Sequence, residues 1–148
     1  MTRLVAILAV LLTLAGCGGA QAQLNPVSES EAYERVESYV RRAATALPAD
    51  ARLEAAAQPS SAACKGEPTG RVVVTSTYWV RGLTDENAHF DTMVRWWEAH
   101  EFELLDDLRP ERPYVWVQNS GDRFRMSLRG NDEGELLLGA ESPCVPEG

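Results

Sequence analysis

The segment Arg71–Arg81, RVVVTSTYWVR, narrows the folds open to this chain more than any other. Val72, Val73, Val74, Thr75, Thr77, Tyr78, Trp79 and Val80 are β-branched or aromatic, the types that pack well on a pleated surface. Successive side chains of a strand face opposite ways, and here both alternating sets are partly apolar. That pattern predicts a central strand, with Gly82 and Leu83 turning out of it.

The later sequence supplies partners for such a strand. Phe102–Leu105 begins one, and Asp106 to Pro113 reads as a charged turn. Tyr114–Asn119 is the next strand, with Ser120-Gly121-Asp122 as its hairpin loop. In Arg123–Arg129 the apolar Phe124, Met126 and Leu128 alternate with Arg123, Arg125, Ser127 and Arg129, an antiparallel strand with one dry face. Gly130 to Gly134 is turn chemistry, and Glu135–Glu141 is the last strand, ended by Pro143-Cys144.

Two helices are expected. Ser28 and Glu31 have capping-box spacing, and Val27 and Ala32 stand at hydrophobic-staple positions. Tyr33, Val36, Val40, Ala43 and Leu47 then recur at steps of three and four, and Pro48 stops the helix. For the second, Thr84 is the expected cap, with Asp85 and Glu86 in the first turn. Phe90, Met93, Val94, Trp97 and Glu101 trace its stripe, and it ends near His100. Ala49 to Gly70 reads as the least regular part, with Leu53 in a short extended piece or a helical turn. The expected class is α+β: two helices on one face of a mostly antiparallel sheet of about five strands. Strand order is not fixed by the pattern.

Ahead of this domain, Arg3 precedes an apolar run from Leu4 to Ala15, broken only by Thr13. A bilayer span needs about 20 apolar residues, so the run fits the core of a signal peptide instead. It ends in Leu14-Ala15-Gly16-Cys17, with small residues before the cysteine. These four positions resemble the lipobox of bacterial lipoproteins. The resemblance implies that residues 1–16 are removed and that Cys17 becomes the first residue, carrying a diacylglyceryl group and acyl chains such as palmitate. Residues 17–27 are then a flexible tether and 28–148 a single domain on the extracytoplasmic face of the cell membrane. Two acyl chains anchor stably where one is marginal. The competing reading is cleavage after Ala20-Gln21-Ala22, which would release a soluble protein. The layout of lipobox, tether and α+β domain also resembles that of small lipoproteins of high-GC Gram-positive bacteria.

Cleavage before Cys17 takes 16 of 148 residues and leaves 132, enough for one domain with its own core. Arg3 is the only charge lost, so the net charge goes from −8 to −9. So acidic a domain lacks the basic footprint that nucleic acid wants, and anionic head groups would repel it. The expected partners are the membrane, through the lipid, and an envelope protein or wall component. With Cys17 acylated, Cys64 and Cys144 remain of the three cysteines. An oxidising compartment permits a disulfide between them, closing a loop of about 80 residues worth on the order of 4–5 kcal/mol at most. The alternative is two free thiols.

Signs of chemistry are thin. His89 and His100 lie 11 apart, about 16 Å along one helix, too far to share a metal. Asn131 to Glu135 is acidic but lacks the spacing of a calcium loop. Glu101, Glu103, Asp106 and Asp107 offer paired carboxylates, with Glu101 and Glu103 on one side of a strand. Trp79, Trp96, Trp97 and Trp116 suit a core or a platform for stacked sugars. Arg123, Arg125 and Arg129 form a basic row on an acidic protein, either a wet sheet face paired with acids or, with Trp79 and Trp116, a surface for an anionic partner. No cofactor, metal or catalytic set is expected. The leading expectation is a non-enzymatic binding or accessory module. The alternatives are a carrier of an apolar ligand between helices and sheet, and an envelope hydrolase.

Overall fold

Ser28 opens the first helix as its spacing predicts. Its side chain accepts from the Glu31 backbone N–H, and the Glu31 carboxylate accepts from the Ser28 N–H at 2.8 Å. A computed structural model describes residues 26–66, 69–85 and 88–148; the lipobox, Cys17 and the tether up to Asn25 lie outside them. Helix α1 runs Glu29–Ala44 and buries Ala32, Val36, Tyr39, Val40 and Ala43. Val27 packs on the same core, at the staple position.

The strands follow as β1 (Arg52–Ala55), β2 (Ser60–Ala63) and β3 (Arg71–Arg81), then helix α2 (His89–Ala99). After it come β4 (Phe102–Asp107), β5 (Tyr114–Asn119), β6 (Arg125–Gly130), β7 (Leu136–Glu141) and β8 (Val145–Pro146). All pairings are antiparallel. The sheet has eight strands in place of about five, in the order β1-β3-β7-β6-β5-β4. The excess has a simple cause: β1 and β2 occupy one edge of β3 in succession, and β7 and β8 occupy the other. Each is one interrupted row. The central position expected for β3 holds. From it the chain crosses through α2 to the far edge, and β4 to β7 meander back.

Both helices lie on one face. Phe90, Met93 and Trp97 of α2 and the buried stripe of α1 meet Val74, Val115, Val117, Met126, Leu128, Leu136 and Leu138 of the sheet. Buried Trp97 donates its indole N–H to Met126 Sδ at 3.3 Å. Glu37 of α1 accepts from Ser76 Oγ and, at 2.8 Å, from Tyr78 Oη, tying the helix to β3. Asp122 in the β5–β6 turn accepts from Tyr39 Oη at 2.8 Å and from Arg35 at 3.2 Å, tying the helix to the far half of the sheet.

Local expectations differ at four places, one being that Asp106 and Asp107, expected in the charged turn, continue β4 past a bulge and pair with Trp116 and Val115. Residues 49–70 contain β1 and β2, because β3 offers them a free edge. Helix α2 starts at His89, with Ala88 at its N-cap and no side-chain cap, so Thr84 lies outside it. Glu101 has φ of 65° between helix and strand, so strand alternation does not pair it with Glu103. Cys64 and Cys144 are disulfide-bonded, Cα–Cα 6.1 Å. They join segments that flank opposite edges of β3. Among the described residues no helix is long and apolar enough to cross a membrane.

Candidate functional site

With both helices on one side, the other side of the sheet is uncovered, and its residues follow from the register. One row across it reads Glu54, Trp79, Leu137, Arg129, Tyr114. The next reads Thr77, Gly139, Ser127, Trp116. A third reads Ser60, Thr75, Glu141, Arg125, Gln118. Four residues singled out from sequence, Arg125, Arg129, Trp79 and Trp116, therefore share this face. Arg123 lies just before β6 and lines a cleft at the same rim.

Gly139 is the floor of the face. It sits in β7 between Thr77 and Ser127, and a trough of about 110 Å³ lies over it, walled by Thr75, Thr77, Tyr114, Trp116, Ser127 and Glu141. A Cβ built on Gly139 would meet Ser127 Oγ at 3.4 Å and Thr77 Oγ1 at 3.6 Å, ordinary contacts. The fold thus has room for a side chain at this position, and glycine leaves that room open. Glycine inside a strand weakens it, and marks a bulge, a tight bend, or a close approach by a ligand or another backbone.

The charges are arranged around the aromatic rings. Arg125 lies over Trp116, its Cζ 5.0 Å from the ring centroid, and donates to Glu141 Oε1 and Gln118 Oε1, both at 3.2 Å. Arg81 lies over Trp79 at 5.1 Å and pairs with Glu54 and Glu135. Such cation–ring contacts fix the indole planes. Burial, then the nearby Glu141 charge, pushes the Tyr114 hydroxyl above its ordinary range, so it stays protonated. Beside the trough a second cleft of about 340 Å³ is lined by Arg71, Val73, Gln118, Arg123, Arg125 and Glu141, with Ser142, Pro143 and Cys144 at its end.

The residues weighed for catalysis do not converge. His89 opens α2 and His100 follows it, stacked on Trp96 with ring centroids 3.9 Å apart. Asp107 is gripped by Arg109 at 2.6 and 2.8 Å, which holds its carboxyl below the ordinary range. In the 131–135 turn Asn131 Oδ1 accepts from the N–H groups of Glu133 and Glu135. Hydrogen bonds from Asn131 and then Arg81 lower the Glu135 carboxyl. Among the described residues no three His, Cys, Asp or Glu side chains gather as a metal site would need.

Sequence reasoning missed Gly139, Thr75, Thr77, Tyr114 and Arg71 as members of the face, while alternation had already set Ser127 beside Arg125 and Arg129. One signal was present: a glycine in the otherwise apolar segment LLLGA. No family model, characterised protein or solved structure matches this chain.

Proposed function

We propose that this protein is a lipid-anchored module of the cell envelope that works by binding, and that its open sheet face holds the sugar rings of a wall glycan. In this reading Cys17 carries the lipid, the tether gives reach, and no covalent step occurs on the domain. The observation that carries it is Gly139. A mid-strand position without a side chain, its own backbone buried between Thr77 and Ser127, leaves a trough walled by their hydroxyls, Tyr114 and Trp116, and that space suits a pyranose ring. Aromatic rings take its apolar face, and hydroxyls take its equatorial oxygens. The trough is open and shallow, which suits a polymer lying along the surface better than an enclosed small molecule.

The apolar-carrier alternative draws no support from the interior. Trp97, Phe90, Met93, Met126, Leu128 and Leu138 fill the space between helices and sheet and are almost fully buried. The trough and the neighbouring cleft both open on the other side.

Co-sedimentation of the full chain, kept in neutral detergent, with insoluble envelope polysaccharide tests the reading. A methyl at Gly139→Ala intrudes on the trough without a close contact to the protein. It should weaken sedimentation roughly tenfold, about 1.4 kcal/mol, while the melting temperature does not fall. Undiminished sedimentation of a folded Gly139→Ala protein would remove the trough from the account.

A further inference from the structure

We infer that the cleft beside the trough is an anion subsite, and that its ligand is a carboxylate carried on the bound sugar chain. The inference rests on the glycan reading above. The cleft brings Arg71, Arg123 and Arg125 together with one carboxylate, Glu141, on a chain of net charge −8. It shares Arg125 and Glu141 with the trough, so a chain lying over Gly139 continues into it.

The three guanidinium groups are not equally engaged. Arg125 is committed to Glu141, Gln118 and the Trp116 ring. Arg71 donates through Nη2 to the Cys144 carbonyl, and its Nε is buried without a partner among the described residues. The Arg123 side chain makes no hydrogen bond or ion pair among the described residues. Glu141 therefore offsets Arg125 and leaves two cations over. A guanidinium fork matches a planar carboxylate. A carboxylate borne on the sugar chain is delivered to the cleft by the chain that lies in the adjoining trough, as a free phosphate is not.

The backbone of Arg123 supplies an independent sign. The hairpin from β5 to β6 closes with Asn119 N–H donating to the Phe124 carbonyl at 2.8 Å and Arg123 N–H donating to the Asn119 carbonyl at 3.0 Å. Arg123 ends that loop at φ of 65°, the left-handed region where glycine or asparagine is the easy choice. An arginine held there against its own backbone preference points to a side chain wanted for something other than folding.

Titration of the full chain in neutral detergent with two oligosaccharides tests this. Hyaluronan hexasaccharide carries carboxylates; chitohexaose shares its N-acetylglucosamine rings and carries none. Hyaluronan should bind roughly tenfold tighter, an advantage that shrinks as salt rises. Arg123→Gly relieves the backbone, so the melting temperature should rise. The same substitution should reduce hyaluronan affinity roughly tenfold more than chitohexaose affinity. Equal affinities, or an Arg123→Gly protein that keeps the full preference, would overturn the anion subsite and leave the glycan reading standing. Displacement of hyaluronan by millimolar inorganic phosphate would overturn it in favour of a free-phosphate site. If neither oligosaccharide binds, both readings fall.

Discussion

Glu37 shows how one carboxylate holds a helix on a sheet. It accepts from Ser76 Oγ and Tyr78 Oη and pairs with Arg41 at 3.2 Å, while Ser76 is only 2% exposed. Truncation to Glu37→Ala strands the buried Ser76 hydroxyl without a partner. Loss of about 1–3 kcal/mol is expected, read as a lowered midpoint in urea, with Glu37→Gln losing less because an amide oxygen still accepts. Gly139 makes the opposite case. Its φ is not in the left-handed region and its Cβ would meet nothing closer than 3.4 Å, so Gly139→Ala should stabilise the fold by about 0.4–1 kcal/mol in the same urea titration. A residue whose replacement strengthens the fold is a candidate for having been kept for binding.

At the scale of elements, the turn after β4 is joined to α2 by charge. Arg109 bridges Asp107, the last residue of β4, and Asp91 on the helix at 2.8 Å, and its guanidinium lies 5.5 Å from the Phe90 ring centroid. The hydrogen bonds from Arg109 lower the Asp107 carboxyl below its unfolded value. A depressed carboxyl contributes stability above the unfolded range, and that stability is lost as pH falls through the folded value. Stability should therefore decline below about pH 4, and Asp107→Asn should flatten that decline in acid denaturation followed by circular dichroism. The strands whose burial alternates, β5 and β6, were legible in sequence, and α1 was legible from its cap and stripe. β1 and β2 were not, because their side chains are mostly exposed and only backbone pairing to β3 makes them strands. The face was half legible for a related reason. Alternation put Arg125, Arg129, Trp79 and Trp116 on one side of their own strands. Only cross-strand register brings Thr77, Gly139 and Ser127 into one row.

For the whole molecule, the Cys64–Cys144 disulfide links the two segments that flank β3, 80 residues apart. Replacing both with serine should cost on the order of 4–5 kcal/mol at most by the chain-entropy account, measured as a drop in the urea midpoint. Intact mass spectrometry of protein extracted from native membranes should find the disulfide together with an acylated Cys17. An unmodified amino terminus beyond position 17 would detach the domain from the proposed anchor. In the proposed reading the domain divides its labour by face: the helix side is closed by packing, and the other side, with the trough over Gly139 at its centre, meets the ligand. Amide chemical-shift mapping of the full chain in detergent, with solubilised wall glycan added, tests that division most directly. Shifts should gather at Thr77, Trp116, Ser127 and Gly139 and spare Val36 and Val40 of α1. Shifts gathered on the helices, or along the exposed Leu104–Leu105 edge, with the sheet face silent, would contradict it.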